Sequence, residues 1–391
     1  MPYLEELPTP ALLVEKARLE ANIATMQARA DTQGVALRPH TKTHKSVNLA
    51  RLQRSAGARG LTVAKPGEAE VFVGAGFDDV RIAYTVVGRD KLEWLAALSR
   101  RARISFCVDT MEGARGASDV FAAAGLEAEV LVETDIGYGR CGVTWDDPSS
   151  IEFLRAVAAL PGLRLAGILT HAGHAYQGPV MEGESTADAL RAVMREERDR
   201  MLTFAARARA AGIPGVEPGQ FEISVGSTPS MRYFENAERE GFRITEIRPG
   251  NYVFHDATQV AIGAAIWAQC ALTVQTTVVS KHRNPDGGER LFLDAGKKVF
   301  TSDRTPGSGT YGTLLYNPKV MEPMPHARLT GLSEEHGWVQ VRGGSTLAVG
   351  DRVRVVPAHA CVAVNTQDQV FVVDGDEVVD AWGVDARGRV L

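Results

Sequence analysis

Eight short apolar runs, each followed by a longer stretch with helical spacing, set the strongest constraint on this chain. The runs fall at 35–37, 60–64, 80–84, 104–108, 128–133, 165–170, 221–225 and 244–247. Helices are expected between them at 46–55, 66–75, 91–101, 111–124, 148–160 and 187–211, where Ala, Arg and Glu dominate. Continuous apolar strands alternating with helices imply a parallel sheet covered by helices. Eight is the count that closes a (β/α)8 barrel, a TIM barrel; an open doubly wound sheet is the competing topology. No Gly-x-Gly-x-x-Gly opens a helix after the first strand, which counts against a dinucleotide fold.

The beat stops near Tyr252. Short β-rich runs then follow at 272–279, 290–293, 338–341, 352–356, 369–373 and 378–382, separated by Gly, Pro and Asp turns. This reads as an antiparallel β domain. The segment 303–325, rich in Gly, Pro and Tyr, reads as loop. One further strand is expected at 11–14, before a helix that includes 19–26. The domain reading is a barrel over 15–254 and a β domain made of 1–14 and 255–391.

Composition narrows the class. With 391 residues, 45% of them hydrophobic and 23% charged, the chain is ordinary globular protein of about two domains. A net charge of −5 gives no global basic field for nucleic acid. No apolar run is long enough to span a bilayer, and the first residues lack the basic and apolar regions of a signal peptide. Cys107, Cys141, Cys270 and Cys361 are too widely spaced for a disulfide framework. The expectation is a soluble cytoplasmic protein with no nucleic-acid or membrane partner.

The chemistry-bearing residues gather at strand ends. Arg38-Pro39-His40-Thr41-Lys42-Thr43-His44-Lys45 follows the first barrel strand. A lysine just past a barrel strand stands where barrel enzymes place catalytic groups. Desolvation there would free its amine to attack a carbonyl, and pyridoxal phosphate (PLP) is the cofactor most often held by such a bond. A solvated turn with two ordinary lysines is the competing reading. Polar clusters also follow the fifth strand (Glu133 to Gly142), the sixth (Thr170-His171-Ala172-Gly173-His174-Ala175-Tyr176), the seventh (Gly226-Ser227-Thr228-Pro229) and the eighth (Arg248-Pro249-Gly250-Asn251-Tyr252). The last two are glycine-containing turns, the first of them with hydroxyls, where barrels commonly bind phosphate.

His359-Ala360-Cys361 follows the apolar run 352–356. On an extended segment, His-x-Cys directs both side chains to one side, and imidazole and thiolate are good zinc ligands. A buried strand cysteine without a metal is the competing reading. Cys107 and Cys270 lie inside apolar runs and read as core; Cys141, beside Arg140, reads equally as packing or as near the site.

Together these segments resemble the fold-type III PLP enzymes, and within them the family of D-serine dehydratase, D-threo-3-hydroxyaspartate dehydratase and D-threonine aldolase. The resemblance runs nearly end to end: Thr9-Pro10-Ala11, the Lys42 motif, Asp135 to Gly142, Ser224 to Thr228, Gly250-Asn251-Tyr252-Val253-Phe254, and His359-Ala360-Cys361. It implies an alanine-racemase-like barrel with a C-terminal β domain and PLP on Lys42. It also implies a divalent metal, zinc or manganese, on His359 and Cys361. Cofactor contacts are implied for His40, Arg140, Tyr176, Gly226, Ser227, Thr228, Gly250, Asn251 and Tyr252. The implied substrate is a D-β-hydroxy amino acid and the implied assembly a homodimer. The 170–176 and 224–229 loops and the Cys of His-x-Cys look like the dehydratase versions, aldolases often having His-x-Asp. Lys42 would then be general base for loss of water, leaving a 2-oxo acid and ammonia. Retro-aldol cleavage to glycine and an aldehyde, with His171 or His174 as base, is the rival; a racemase or a non-catalytic PLP carrier are more distant readings.

Overall fold

The computed structural model describes residues 3–391. The chain forms two compact units. One comprises Met26–Lys42, Leu49–Gly250 and Gly388–Leu391, the other Met1–Thr25, Thr43–Asn48 and Asn251–Arg387.

The first unit is a ring of eight parallel strands. In spatial order they are Ala36–Leu37, Glu246–Ile247, Glu222–Val225, Leu163–Leu169, Ala128–Asp135, Arg103–Val108, Asp79–Thr85 and Leu61–Val63. Each sits beside its sequence neighbour, as a barrel requires. The ring closes through a single bridge, His40 to Thr62, with Arg59 N–H donating to Leu37 O and Thr62 N–H to Pro39 O. The strands are apolar on both faces because helices such as Pro66–Gly74, Met111–Ala123 and Thr186–Ala210 cover the outside and the barrel interior the other side.

One end of the barrel interior is filled by charge. Arg38 lies fully buried and donates to Glu246 and to Asp79, each at 2.6 Å. Arg81, equally buried, donates to Glu246 at 2.6 Å and also to Glu222, and Arg103 joins Asp79, Glu129 and Glu222. Asp79, Arg103, Glu222 and Glu246 each open their strand, so the network forms the floor opposite the strand ends that carry the candidate site. Arg38 belongs to the lysine motif by sequence only; its side chain serves this floor.

The second unit is a mostly antiparallel sheet. Its order is Glu322–Pro323, Gly312–Asn317, Arg352–Pro357, Leu272–Arg283, Ala11–Glu15, Gln369–Asp374 and Glu377–Gly383. Ala11–Glu15 pairs antiparallel with Leu272–Arg283 and parallel with Gln369–Asp374. Leu272–Arg283 bends at Val278/Ser280 and continues into a second array with Glu289–Leu293, Gly337–Val341 and Ala327–Leu332. Two departures from the sequence reading stand out. The expected loop 303–325 contains the strand Gly312–Asn317. Gly312 pairs with Pro357, and a Cβ there would approach Val356 O to 2.7 Å, so the residue that reads as a loop marker permits a close strand approach. The His-x-Cys segment is not extended throughout. The strand ends at Pro357 and Ala360–Asn365 is a short helix, so Cys361 stands in its first turn.

Candidate active site

Lys42 lies in the 3-10 turn Thr41–Thr43, just past the end of the first barrel strand. Its side chain is exposed rather than buried, so its surroundings, not burial of the lysine itself, set its chemistry. His40 is buried, and its Nδ1 accepts from the Lys42 backbone N–H at 3.4 Å, which fixes the turn.

His171 follows the sixth strand, and its Nδ1 stands 3.4 Å from Gly226 O. Burial pushes its pKa well below the ordinary value, and the charges of Lys42, Arg140 and Arg248 push it the same way. His171 is therefore a neutral imidazole in a cationic mouth. Tyr176 lies 6.5 Å from it, ring centre to ring centre, and the rings of Tyr138 lie 6.3 Å from both His171 and His174. His174 Nε2 stands 3.5 Å from Glu196 Oε2. Arg140 donates to buried Glu133 at 3.3 Å, and the Cys141 thiol donates to the same carboxylate at 3.0 Å. Partial burial and Glu133 push that thiol up to about 11, so Cys141 is no thiolate at neutral pH. Cys107 and Cys270 are fully buried and inert as core residues.

The turns after strands seven and eight lie side by side because their strands pair in register, Val225 with Ile247. Gly226 adopts φ +122°, where other residues are strained, and Ser227 and Thr228 behind it start the helix Thr228–Met231. The Gly226 N–H is taken by a side chain of the protein: it donates to Glu197 Oε1 at 2.8 Å, and Ser230 Oγ donates to Glu197 Oε2 at 2.9 Å. Glu197, wholly buried on the long helix, thus shapes the hydroxyl-bearing turn from below. Gly226 contributes conformation, and Ser227 and Thr228, with Gly250 of the neighbouring turn, carry the hydroxyl and amide chemistry that suits a phosphate.

In the second unit, His359 and Cys361 are in contact, and their mutual attraction, after the opposing effect of burial, raises the His359 pKa well above ordinary. Asp256 adds to this: its Oδ2 accepts from His359 Nδ1 at 3.0 Å. Cys361 Sγ lies 3.2 Å from Thr43 Oγ1. An imidazole and a thiol in contact, with the imidazole Nδ1 on a buried carboxylate, form a donor set that fits a divalent cation such as zinc. Among the described residues no group of three or more His, Cys, Asp or Glu is set to hold a metal. Asn251 and Tyr252 lie fully within this unit, and the Asn251 side chain donates to Asp256 at 2.5 Å rather than standing free for a phosphate. Chain connectivity links the two sets of residues: Lys42 precedes Thr43, and Gly250 precedes Asn251.

Sequence reasoning did not single out Tyr138, Glu197, Arg248 or Asp256. Only Arg248 carried a signal, as a cation at a strand end; buried, it donates to Ser224 at 2.8 Å and to Thr170 O.

Comparison with known proteins agrees with this arrangement. Residues 14–258 match the family model for the alanine racemase N-terminal domain, and residues 271–373 match one for a serine dehydratase domain. The chain is 34% identical to a D-threonine aldolase from Arthrobacter sp. over 98% of its length and 94% of the relative's. It superimposes on the solved D-threo-3-hydroxyaspartate dehydratase of Delftia sp. HT23 with a TM-score of 0.85 at 34% identity, covering 98% of this chain and 99% of that one. It matches equally, at TM-score 0.85, 33% identity and the same coverage, a cysteine-to-alanine mutant of a D-threo-3-hydroxyaspartate dehydratase described as in the metal-free form. The chain belongs to the alanine-racemase-like family of PLP-dependent lyases in which such aldolases and dehydratases are found.

Proposed function

We propose that this protein is a PLP- and divalent-metal-dependent dehydratase of D-β-hydroxy amino acids, converting a substrate of the D-serine, D-threonine or D-threo-3-hydroxyaspartate type to a 2-oxo acid and ammonia. The observation that carries the reading is the His359–Cys361 pair, with the Cys361 thiol 3.2 Å from the hydroxyl of Thr43, the residue next to Lys42. Hydroxide is a poor leaving group, and a Lewis acid that takes up the leaving oxygen addresses that difficulty.

PLP, when bound, supplies an electron sink at Cα, and the metal, when bound, supplies a Lewis acid for the departing oxygen. Lys42 would hold the cofactor, with the Ser227–Thr228 turn and Gly250 at its phosphate and Tyr176 and Arg140 around its ring. Lys42 Nζ would be the group that accepts the α-proton. Arg140, half-exposed, would attract the anionic groups of cofactor and substrate, and His171 would stay neutral beside them. Zinc is our first choice of metal and manganese the second. We read the molecule as a cytoplasmic homodimer, which light scattering on the purified protein tests.

The contact of His174 with Glu196 supports one rival. A histidine paired with a carboxylate is a competent base for the β-hydroxyl proton, which is what retro-aldol cleavage needs. Product analysis on the three substrates decides. Oxo acid with ammonia is the expected outcome; glycine with an aldehyde transfers the assignment to an aldolase.

A further inference from the structure

Asp256 is completely buried, yet four groups donate to its carboxylate. Oδ2 accepts from Asn251 Nδ2 at 2.5 Å, from Ala360 N–H at 2.9 Å and from His359 Nδ1 at 3.0 Å. Oδ1 accepts from the Gln259 N–H at 2.9 Å. Two of these donors belong to the His-x-Cys segment, which is 103 positions or more along the chain.

The consequences for the two candidate ligands differ. A carboxylate that accepts from Nδ1 keeps the ring proton on that nitrogen and leaves the Nε2 lone pair outward. The bond to Ala360 N–H satisfies the first amide of the helix Ala360–Asn365 and so fixes the turn on which Cys361 stands. The Asn251 amide restrains the same oxygen and holds the carboxylate in one rotamer.

We propose that Asp256 is the positioning residue of the metal site: one buried carboxylate sets the tautomer of His359 and the backbone turn of Cys361, so a divalent cation meets both ligands already placed. This rests on the metal reading of His359 and Cys361 given above.

The test uses PLP-loaded enzyme stripped of metal and titrated with zinc against a chromophoric chelator, then with cobalt(II). The visible PLP absorbance reports that the protein is folded and loaded. Wild type should take up one zinc per chain and show a thiolate–cobalt charge-transfer band with d–d bands in the red. Asp256→Ala removes the acceptor shared by His359 Nδ1 and the Ala360 N–H, and should free both the ring tautomer and the turn that carries Cys361. Zinc should bind about 10–100-fold more weakly, and the cobalt bands should change as the two ligands lose their fixed placement. An unchanged affinity and cobalt spectrum in this variant overturn the inference alone. A wild type that takes up no metal overturns the metal reading, and the inference with it. If Asp256→Ala loses the PLP absorbance, Asn251→Ala decides: it should weaken zinc several-fold, and unchanged zinc affinity overturns the proposal.

Discussion

Three lysines compete for the cofactor, and their surroundings separate them. Lys45 is buried with φ +50°, and its carbonyl accepts from Ala386 N–H. Lys65 caps the helix Pro66–Gly74 with its Nζ 3.7 Å from the Tyr84 ring centre. Lys42 alone of the three is exposed at a barrel strand end beside a neutral histidine. Borohydride reduction and peptide mapping should place the phosphopyridoxyl group on Lys42; finding it on Lys45 or Lys65 refutes the assignment. His171 has a pH consequence. Its folded pKa is depressed below the ordinary value near 6.5, so the unfolded chain binds the proton first. Its contribution to stability is present above about pH 6.5 and is lost as the pH falls toward the folded value. His171→Asn should flatten that part of the stability–pH curve, as denaturant titrations at stepped pH would show. Lys42 and His171 were legible because a polar residue just past an apolar run is unusual in one dimension. Glu197 was not. It stands in Arg195-Glu196-Glu197-Arg198, where it looks like any solvent-facing acid, and only the fold turns it inward.

The element that depends on Glu197 is the turn from Gly226 to Ser230. Glu197→Ala leaves a buried N–H and a buried hydroxyl without their acceptor, at a cost of about 1–3 kcal/mol each. PLP should bind more weakly to this variant while the Lys42 linkage still forms, measured as the cofactor lost on dialysis. Wild-type retention of PLP would remove Glu197 from any part in shaping the turn. At this scale all eight barrel strands were readable as short apolar runs, and the helices at 46–55, 66–75, 91–101, 111–124, 148–160 and 187–211 because each has enough length for its period to show. The helix Ala360–Asn365 was not, because its apolar residues after Pro357 continue the pattern of the preceding strand. What starts it is Asp256, distant in sequence and invisible to any local pattern.

Over the whole molecule, the ion network of the barrel floor carries the largest single-residue stake. Glu246 takes bonds from Arg38, Arg81 and Ser224, and although burial opposes ionisation, the two arginines hold its carboxyl well below the usual range. Glu246→Ala takes from two buried guanidinium groups the carboxylate they share, leaving Arg38 with Asp79 and Arg81 with Glu222, and should cost about 3–5 kcal/mol by chemical denaturation. Because the folded pKa is depressed, the network's stabilisation is complete above the ordinary carboxyl value near 4.5 and drains away as acid approaches the folded value. The count of strands announced the barrel, but nothing in the sequence announced its charged floor, since Arg38 stands in the lysine motif and Arg81 inside an apolar run, and only the closed ring brings them together. That ring joins seven of its eight neighbouring pairs, among the described residues, by strand ladders, and the eighth by one bridge. Pro39 has no N–H to give at that eighth junction, so the seam beside the lysine-bearing turn is thinly stitched. A cylinder held this way opens along its weakest line before it melts: deuterium should reach the amides of 59–63 in native conditions long before those of Ala128–Asp135, and the lysine turn should be the first part of the barrel to breathe.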